Sequence, residues 1–270
     1  MPQENTYHLN DKFMARRMRN KTGFCKFYRV LKTGYMIKNI LFDLDGTLLP
    51  MDLKKFMYIY IRGLCNKLHK LDANLVSQTL LKGVEKMYAN DGSKTNEQVF
   101  IELFEEILNV SFIKCEKLFD EYYHEDFELC KIACYPNDKA RTLIDYLKEK
   151  GIRIVIATNP FFPQIATYTR LRWLGLEPDE FELVTTYENS HYCKPNPKYF
   201  EEIFTKLNMN KEETLMIGND VEEDGCIKEL GVKLFLINDF LINSKKLEIN
   251  ADFVGSFDEV VKEIEVLINE

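Results

Sequence analysis

The chain has 270 residues, of which 46% are hydrophobic, and its formal net charge at pH 7 is −7. This length and apolar content are enough for a sizeable core in one domain or two. No apolar run is long enough to cross a membrane, and the negative charge argues against general nucleic-acid binding. Seven cysteines without a C-x-x-C pair favour reduced thiols over a disulfide framework or a zinc site. We expect a cytoplasmic protein, a monomer or homodimer, with no membrane or nucleic-acid partner.

The first segment, residues 1–35, is strongly basic. It holds eight Lys or Arg against two acidic residues, a balance of +6, and lacks the continuous apolar core of a secretory signal. One interpretation is a basic arm for nucleic acid or an anionic surface. The other is an upstream start, with the protein proper beginning at Met36. No periodic pattern appears before Lys38, so we favour the second and predict a non-core extension over residues 1–35.

Five short runs beyond Met36 are typical of buried parallel strands. They cover residues 37–42, 152–157, 181–186, 214–218 and 232–237. Amphipathic helical patterns separate them, at residues 140–147, 200–207 and 226–230. Strands that alternate with helices predict right-handed β-α-β crossovers, and therefore an α/β fold with a doubly wound, mostly parallel, Rossmann-like sheet.

Residues 51–133 break this alternation because they show helical patterns and no strand pattern. Apolar residues recur at helical spacing from Leu53 to Leu68, and Thr95 with Gln98 matches a capping box at the start of a later helix. Four helices are predicted in this segment. We expect a small helical-bundle cap over residues 51–133, inserted into an α/β core formed by residues 36–50 and 134–270.

Polar side chains follow several of the predicted strands at the points where the strands end. Ligands of open α/β sheets bind beyond the carboxyl ends of the strands, so we expect these side chains to lie together. The candidates are Asp43, Asp45, Thr158, Asn159, Lys194, Asp220 and Asp224. Each of them alone fits a turn or a solvated helix start. Together they fit a hard cation and a phosphate, because buried carboxylates are costly unless they are paired or bind a metal.

The chemistry that fits this set is hydrolysis of a phosphate ester. Asp43 and Asp220 would hold Mg²⁺, which prefers oxygen ligands, while Lys194 and Thr158 would bind the phosphoryl oxygens. A carboxylate can act as the nucleophile, and a second one as the general acid. We assign the nucleophile to Asp43 and the acid/base to Asp45, two residues further on.

These motifs resemble those of the haloacid dehalogenase-like superfamily of phosphohydrolases. The first motif, DLDGT (43–47), matches in full, and Thr158, Lys194 and GNDVEED (218–224) follow in the expected order. Many members carry a helical cap where this chain has its helical insertion. The resemblance implies nucleophilic attack by Asp43 and acid/base catalysis by Asp45. It also implies Mg²⁺ held by Asp43, Asp220 and the backbone carbonyl of Asp45, with phosphate binding by Thr158, Asn159 and Lys194 and support from Thr47, Asn219 and Asp224.

One departure from the family pattern lies in the fourth motif. The usual motif has Asp directly after Gly, whereas Asn219 intervenes here. The D-x-x-x-D spacing of Asp220 and Asp224 assigns the metal to Asp220, but alignment from Gly218 puts Asn219 at the ligand position. Asp224 can be a metal ligand or a support for Lys194.

The leading interpretation is a Mg²⁺-dependent phosphatase that hydrolyses a small phosphorylated metabolite through an aspartyl-phosphate. A phosphomutase or phosphotransferase of the same superfamily would use the same residues. A dehalogenase is disfavoured because those relatives lack an acid at the position of Asp45. From another class, a catalytically silent binding or regulatory module is disfavoured because the motif residues are intact.

Overall fold

The computed structural model describes residues 36–269. The prediction of a non-core extension over residues 1–35 lies outside the described residues. None of the helices within 36–269 is long and apolar enough to cross a membrane. The cytoplasmic location and the oligomeric state stay predictions.

A six-stranded, fully parallel sheet forms the centre of the fold. Its strands are β1 (Asn39–Phe42), β2 (Arg153–Ile156), β3 (Leu183–Val184), β4 (Thr214–Gly218), β5 (Lys233–Ile237) and β6 (Phe253–Gly255). They lie in the order β3-β2-β1-β4-β5-β6, so β1 pairs with β2 on one side and β4 on the other. The order reverses between β1 and β4, the point where open α/β sheets bind their ligands.

Eight α-helices accompany the sheet within the described residues. They are α1 (Leu53–Lys67), α2 (Ala73–Tyr88), α3 (Asn96–Leu108), α4 (Ile113–Glu121), α5 (Asp138–Glu149), α6 (Gln164–Arg172), α7 (Lys198–Leu207) and α8 (Phe257–Asn269). The first four lie between β1 and β2, and a π-helical turn (Tyr122–Asp126) and a 3₁₀ segment (Phe127–Ala133) follow them. We call residues 53–133 the helical insertion.

Alternating side chains of the strands build two cores, one on each face of the sheet. On β1, Ile40 and Phe42 join the core that contains apolar residues of α5, α8 and the helical insertion. Leu41 lies between them in sequence and joins the core that contains apolar residues of α7. Because both faces are covered, the strands are nearly continuous apolar runs rather than alternating ones.

The helical insertion is attached to the sheet edge by aromatic packing and by backbone hydrogen bonds. The Phe162 ring, in the loop after β2, lies 5.1 Å from the ring of Tyr60 on α1. At the start of α3, the backbone N–H of Asn96 donates to the Ser190 carbonyl at 2.9 Å. Asn96 itself is fully buried. These contacts hold the insertion over the carboxyl ends of the strands.

The structure confirms the predicted fold class and corrects several elements. The capping box of Thr95 and Gln98 is present at the start of α3. The fourth predicted helix ends as an α-helix at Glu121. The segment at 226–230 is 3₁₀ rather than α-helical. β6, α6 and α8 were not predicted, and the assignment of residues 51–133 to a separate cap domain stays a prediction.

Glu180, in the turn before β3, is the centre of an ion-pair network. Its carboxylate accepts hydrogen bonds from Arg141 at 2.6 and 2.8 Å and from Lys148 at 2.6 Å. The Glu180 side chain is 15% exposed. The hydrogen bonds from Arg141, helped by that from Lys148, lower the pKa of Glu180 from 4.5 to about 2.

We predict that Glu180→Gln lowers the free energy of unfolding at pH 7 by about 1–2 kcal/mol. A carboxylate with a depressed pKa stabilises the fold above its unfolded value of 4.5, and this stabilisation is lost as the pH falls towards about 2. Urea denaturation across this range should show the two proteins converging at low pH. Glu102→Gln is the control, because Glu102 and its partner Lys94 are about half exposed. A gap between Glu180→Gln and wild type that is the same at all pH values would contradict the assignment.

Candidate active site

A cavity of about 260 Å³ lies between the carboxyl ends of the strands and the helical insertion. Most of the site residues predicted from the sequence line it: Asp43, Asp45, Thr158, Asn159, Asn219, Asp220 and Asp224. The other two, Thr47 and Lys194, are buried behind this surface and contact Asp43. The fold therefore brings all nine predicted side chains to one place.

Lys194 is the charged group at the back of the site. Its side chain is 1% exposed, and its ammonium donates to Asp43 Oδ1 at 2.8 Å and to Asp224 Oδ1 at 2.7 Å. A buried ammonium needs such partners because its desolvation is expensive. The two carboxylates hold Lys194 Nζ directly beside Asp43.

Asp224 supports Lys194 and the loop after β4 at once. It is fully buried, and its Oδ2 accepts the backbone N–H groups of Asn219 and Asp220, both at 2.9 Å. Gly218 makes room for this carboxylate, because a Cβ there would lie 2.2 Å from Asp224 Oδ2. Both oxygens of Asp224 are therefore engaged, which favours its role as a support for Lys194 over that of a metal ligand.

Asn219 joins the loop after β1 to the loop after β5. Its Oδ1 accepts from the Thr47 hydroxyl at 3.0 Å, and its Nδ2 donates to the Phe240 carbonyl at 2.7 Å. Gly46 has a φ of +87°, and a Cβ at this position would lie 2.3 Å from Asn219 Nδ2. Both the oxygen and the nitrogen of the Asn219 amide thus have a hydrogen-bond partner. Glycine is required at position 46 because the loop after β1 passes close to this amide.

Asp220 lines the cavity from the same loop as Asn219. Its Oδ1 accepts the backbone N–H groups of Glu222 and Glu223, both at 2.8 Å. Burial raises the pKa of Asp220, although these two hydrogen bonds oppose the shift. Both ends of the Asn219 amide have a partner, whereas Asp220 Oδ2 accepts no hydrogen bond among the described residues. The geometry therefore favours Asp220 as the cation ligand of this loop.

Thr158 and Asn159 follow β2 and line the cavity beside Asp43. The Thr158 carbonyl accepts hydrogen bonds from the hydroxyls of Thr185 at 2.7 Å and Tyr199 at 2.9 Å. Asn159 Nδ2 donates to the Lys194 carbonyl at 3.1 Å. These contacts fix the loop, so the Asn159 side chain positions the backbone of Lys194. Its predicted contact with phosphate stays a prediction.

Asp45 forms an ion pair with Arg170 of α6, a residue that the sequence analysis missed. Arg170 is fully buried, and its guanidinium carbon lies 4.4 Å from the centroid of the Phe162 ring. Asp45 Oδ1 is also buried, with no hydrogen-bond partner among the described residues. The sequence holds one signal for Arg170. It lies four residues after Ala166, so both residues lie on the same face of α6, which is buried.

Glu223 is the second functional candidate that sequence reasoning missed. It lines the cavity, and burial raises its pKa. The hydroxyl of Tyr88, at the end of α2, donates to Glu223 Oε1. The Tyr88 ring also packs edge-on against Phe161 at 4.8 Å. These two contacts link the end of α2 to the loops after β2 and β4 at the cavity.

The site carries more negative than positive charge. Carboxylates line it at five positions: Asp43, Asp45, Asp220, Glu223 and Asp224. The cations in contact with them are Lys194 and Arg170. Burial raises the pKa of Asp43, with further contributions from Asp224 and Asp45, and the opposing effect of Lys194 does not cancel this shift. A bound divalent cation would relieve this excess.

The donor set fits Mg²⁺. All the candidate ligands are oxygens, as hard cations require, and Asp43 and Asp220 line the same cavity. The unpartnered buried oxygen of Asp45 is further evidence of uncompensated charge. Within 36–269, no three His, Cys, Asp or Glu side chains group as a metal site. The predicted ligand set has two side chains and one backbone carbonyl, so it does not need such a group.

Comparisons with known proteins agree with this geometry. The model of the haloacid dehalogenase-like hydrolase family matches residues 37–225. The glyceraldehyde 3-phosphate phosphatase of Methanothermobacter thermautotrophicus is 26% identical over 226 residues, which cover 81% of this chain and 91% of that protein.

Two solved structures share the fold. A HAD phosphatase from Thermococcus onnurineus has a TM-score of 0.55 at 22% identity, covering 84% of this chain and 98% of its own. The HAD-hydrolase YfnB from Bacillus subtilis, bound to magnesium, has a TM-score of 0.51 at 22% identity, covering 87% of this chain and 100% of its own.

We predict that Asp43→Asn raises the free energy of unfolding in the presence of a chelator, by about 1–2 kcal/mol near pH 8. The Asp43 carboxyl has a higher pKa when folded, so its ionisation destabilises the fold as the pH rises above 3.8. An asparagine removes this cost and can still accept from Lys194. Near pH 4 the two proteins should unfold alike in urea.

Asp224→Asn is the matched control for this experiment. It should destabilise the fold at both pH values, because an amide cannot accept from Lys194 and from two backbone N–H groups as the carboxylate does. Destabilisation by Asp43→Asn near pH 8 would show that the Asp43 carboxylate is a net stabilising group.

Proposed function

The chain belongs to the family of haloacid dehalogenase-like hydrolases, and we propose that it is a Mg²⁺-dependent phosphatase of a small phosphorylated metabolite. The observation that carries this proposal is the buried array in which Lys194 joins Asp43 to Asp224 beside the cavity. The similarity to a glyceraldehyde 3-phosphate phosphatase supports the reaction class.

In the proposed reaction, a carboxylate oxygen of Asp43 attacks the phosphorus atom of the ester. The bond to the leaving oxygen breaks, and Asp45 gives that oxygen a proton. Water then attacks the phosphorus of the aspartyl-phosphate and returns its proton to Asp45. This second step releases inorganic phosphate and regenerates Asp43.

Lys194 and the Thr158 hydroxyl would bind the phosphoryl oxygens, because both groups lie against Asp43 or line the same cavity. Asp43, Asp220 and the backbone carbonyl of Asp45 would hold Mg²⁺. When bound, the cation would neutralise phosphoryl charge, and the magnesium-bound YfnB structure supports this choice of ion. Thr47, Asn219 and Asp224 would keep these loops in place.

Arg170 gives the proposed acid a fixed position. Its guanidinium is buried under Phe162 and held by the ion pair with Asp45. We propose that Arg170 positions Asp45 and contacts neither the substrate nor the phosphoryl group.

We predict that phosphatase activity requires Mg²⁺. A chelator should lower turnover by at least about 100-fold, because the surplus carboxylates of the site repel an anionic ester. Addition of Mg²⁺ should restore activity, whereas Ca²⁺, with its looser and larger coordination shell, should not. Phosphate release measured in the three conditions tests this. Undiminished turnover in chelator would refute the metal requirement.

We predict different defects for Asp43→Asn and Asp45→Asn. Asp43→Asn should abolish both turnover and the phospho-enzyme seen by mass spectrometry. Asp45→Asn should lose about 10²–10⁴-fold on an alkyl phosphate, because proton transfer to the leaving oxygen is lost. The defect should be smaller with 4-nitrophenyl phosphate, whose leaving group needs no proton.

The exposed substitution Asp91→Asn, in the loop after α2, is the control for these two variants. Circular dichroism should confirm that Asp45→Asn is folded, since Arg170 loses its partner there. An equal loss on alkyl and nitrophenyl esters would rule out the role of Asp45 as the general acid.

A further inference from the structure

The wall of the cavity opposite the carboxylates is apolar. It is built from side chains of the helical insertion and of the loop after β2, including Met57, Val84, Phe112, Phe119 and Phe162. The carboxylates, Thr158 and Asn159 lie at the sheet edge of the same cavity. A phosphate at Asp43 would therefore leave the rest of its ester against the apolar wall.

The cavity offers no second site for an anion. Among the described residues, its lining contains no Lys, Arg or His side chain. Lys194 and Arg170 are both buried behind it and paired with carboxylates. A second phosphate or a carboxylate on the substrate would be desolvated without a counter-ion and would face Glu223 and Asp220.

Three of the four tyrosines that line the cavity use their hydroxyls in hydrogen bonds to protein atoms, and Tyr187 is the fourth. Tyr60 and Tyr123 share a hydrogen bond of 2.8 Å between their hydroxyls. Tyr88 donates to Glu223. A sugar hydroxyl placed here would lose its water and find few partners, which disfavours polyhydroxylated substrates.

We infer that the substrate is the monophosphate ester of an apolar, uncharged alcohol, either a branched aliphatic or a single-ring aromatic one. This substrate class rests on the proposed phosphatase function. The size of the cavity limits the alcohol: a dry apolar cavity of about 150 Å³ holds benzene, and 260 Å³ must take the phosphate as well. The cavity thus accommodates one ring or a short branched chain.

The test compares esters of primary alcohols at saturating Mg²⁺. The apolar pair is 3-methylbutyl phosphate and benzyl phosphate, and the polar pair is glycerol 3-phosphate and propane-1,3-diol bisphosphate. We expect kcat/KM to be at least about 10-fold higher for the apolar pair, the range that small apolar differences give in enzyme pockets. Glycerol is the more acidic alcohol, so leaving-group chemistry alone would give the opposite order. Equal or lower values for the apolar pair would overturn the inference.

A variant in the wall tests whether the cavity sets this preference. Val84→Arg, on the partly exposed face of α2, places a cation in the lining. It should lower the ratio of kcat/KM for benzyl phosphate over the bisphosphate by at least about 10-fold. Leu75→Arg, on the same helix and outside the cavity, should leave the ratio unchanged. An unchanged ratio in Val84→Arg, with the fold intact by circular dichroism, would show that this wall does not contact the alcohol.

Two further measurements separate this inference from the proposed function. Acetyl phosphate tests the phosphoryl site, because its small acetyl group makes few contacts with the apolar wall. A lack of turnover on every ester and on acetyl phosphate would refute the proposed phosphatase function. Thermal shifts with non-hydrolysable benzylphosphonate and phosphonoacetate then still test the cavity. A larger increase in Tm with benzylphosphonate supports the apolar class, and a larger or equal increase with phosphonoacetate overturns it.

Discussion

The buried ammonium of Lys194 is the interaction on which the arrangement of the site depends. Lys194 reaches two carboxylates from different loops, Asp43 after β1 and Asp224 after β4. Removal of Lys194 would leave Asp43 and Asp224 buried without their shared cation, at a cost of about 3–5 kcal/mol. Asp224 in turn holds the backbone of Asn219 and Asp220. One charge therefore fixes the relative positions of the proposed nucleophile and of the loop that carries the proposed cation ligand.

The excess of carboxylates over cations at the site lowers the stability of the fold and suits the proposed chemistry. Two cations, Lys194 and Arg170, contact the carboxylates of the site, which are more numerous. Burial raises the pKa of Asp43, and the neighbouring carboxylates add to this shift. A carboxylate that is poorly compensated is a better electron-pair donor towards phosphorus than one saturated with hydrogen bonds. In the proposed reaction, a bound cation would supply the missing positive charge when the phosphoryl group of a substrate binds.

Sequence patterns predicted five of the six strands and the meeting of the motif side chains at the sheet edge, because buried strands and strand-end carboxylates are local signals. They did not predict β6, which is only three residues long. The sequence analysis also overlooked α8, although Phe257, Val260 and Ile264 recur at helical spacing and are buried in the core. Arg170 lay outside every motif, since its partner Asp45 is 125 residues away. Glu223 was visible only as part of an acidic run, and its contact with Tyr88 of α2 depends on how the helical insertion docks. The spacing of residues along the chain does not predict these long-range side-chain pairs of the site.

The sheet edge and the helical insertion supply different parts of the site. The sheet edge supplies charged and polar side chains on the loops after β1, β2 and β4, and in the proposed reaction this part would bind the phosphoryl group. The insertion supplies most of the apolar wall, and its Tyr88 packs against Phe161 of the loop after β2. In the proposed complex the wall would touch the alcohol and not the phosphorus. Changes in α1 or α2 would then alter which ester binds, while Asp43, Lys194 and Asp224 stay as they are. The proposed specificity and the proposed catalysis would thus depend on different elements of this fold.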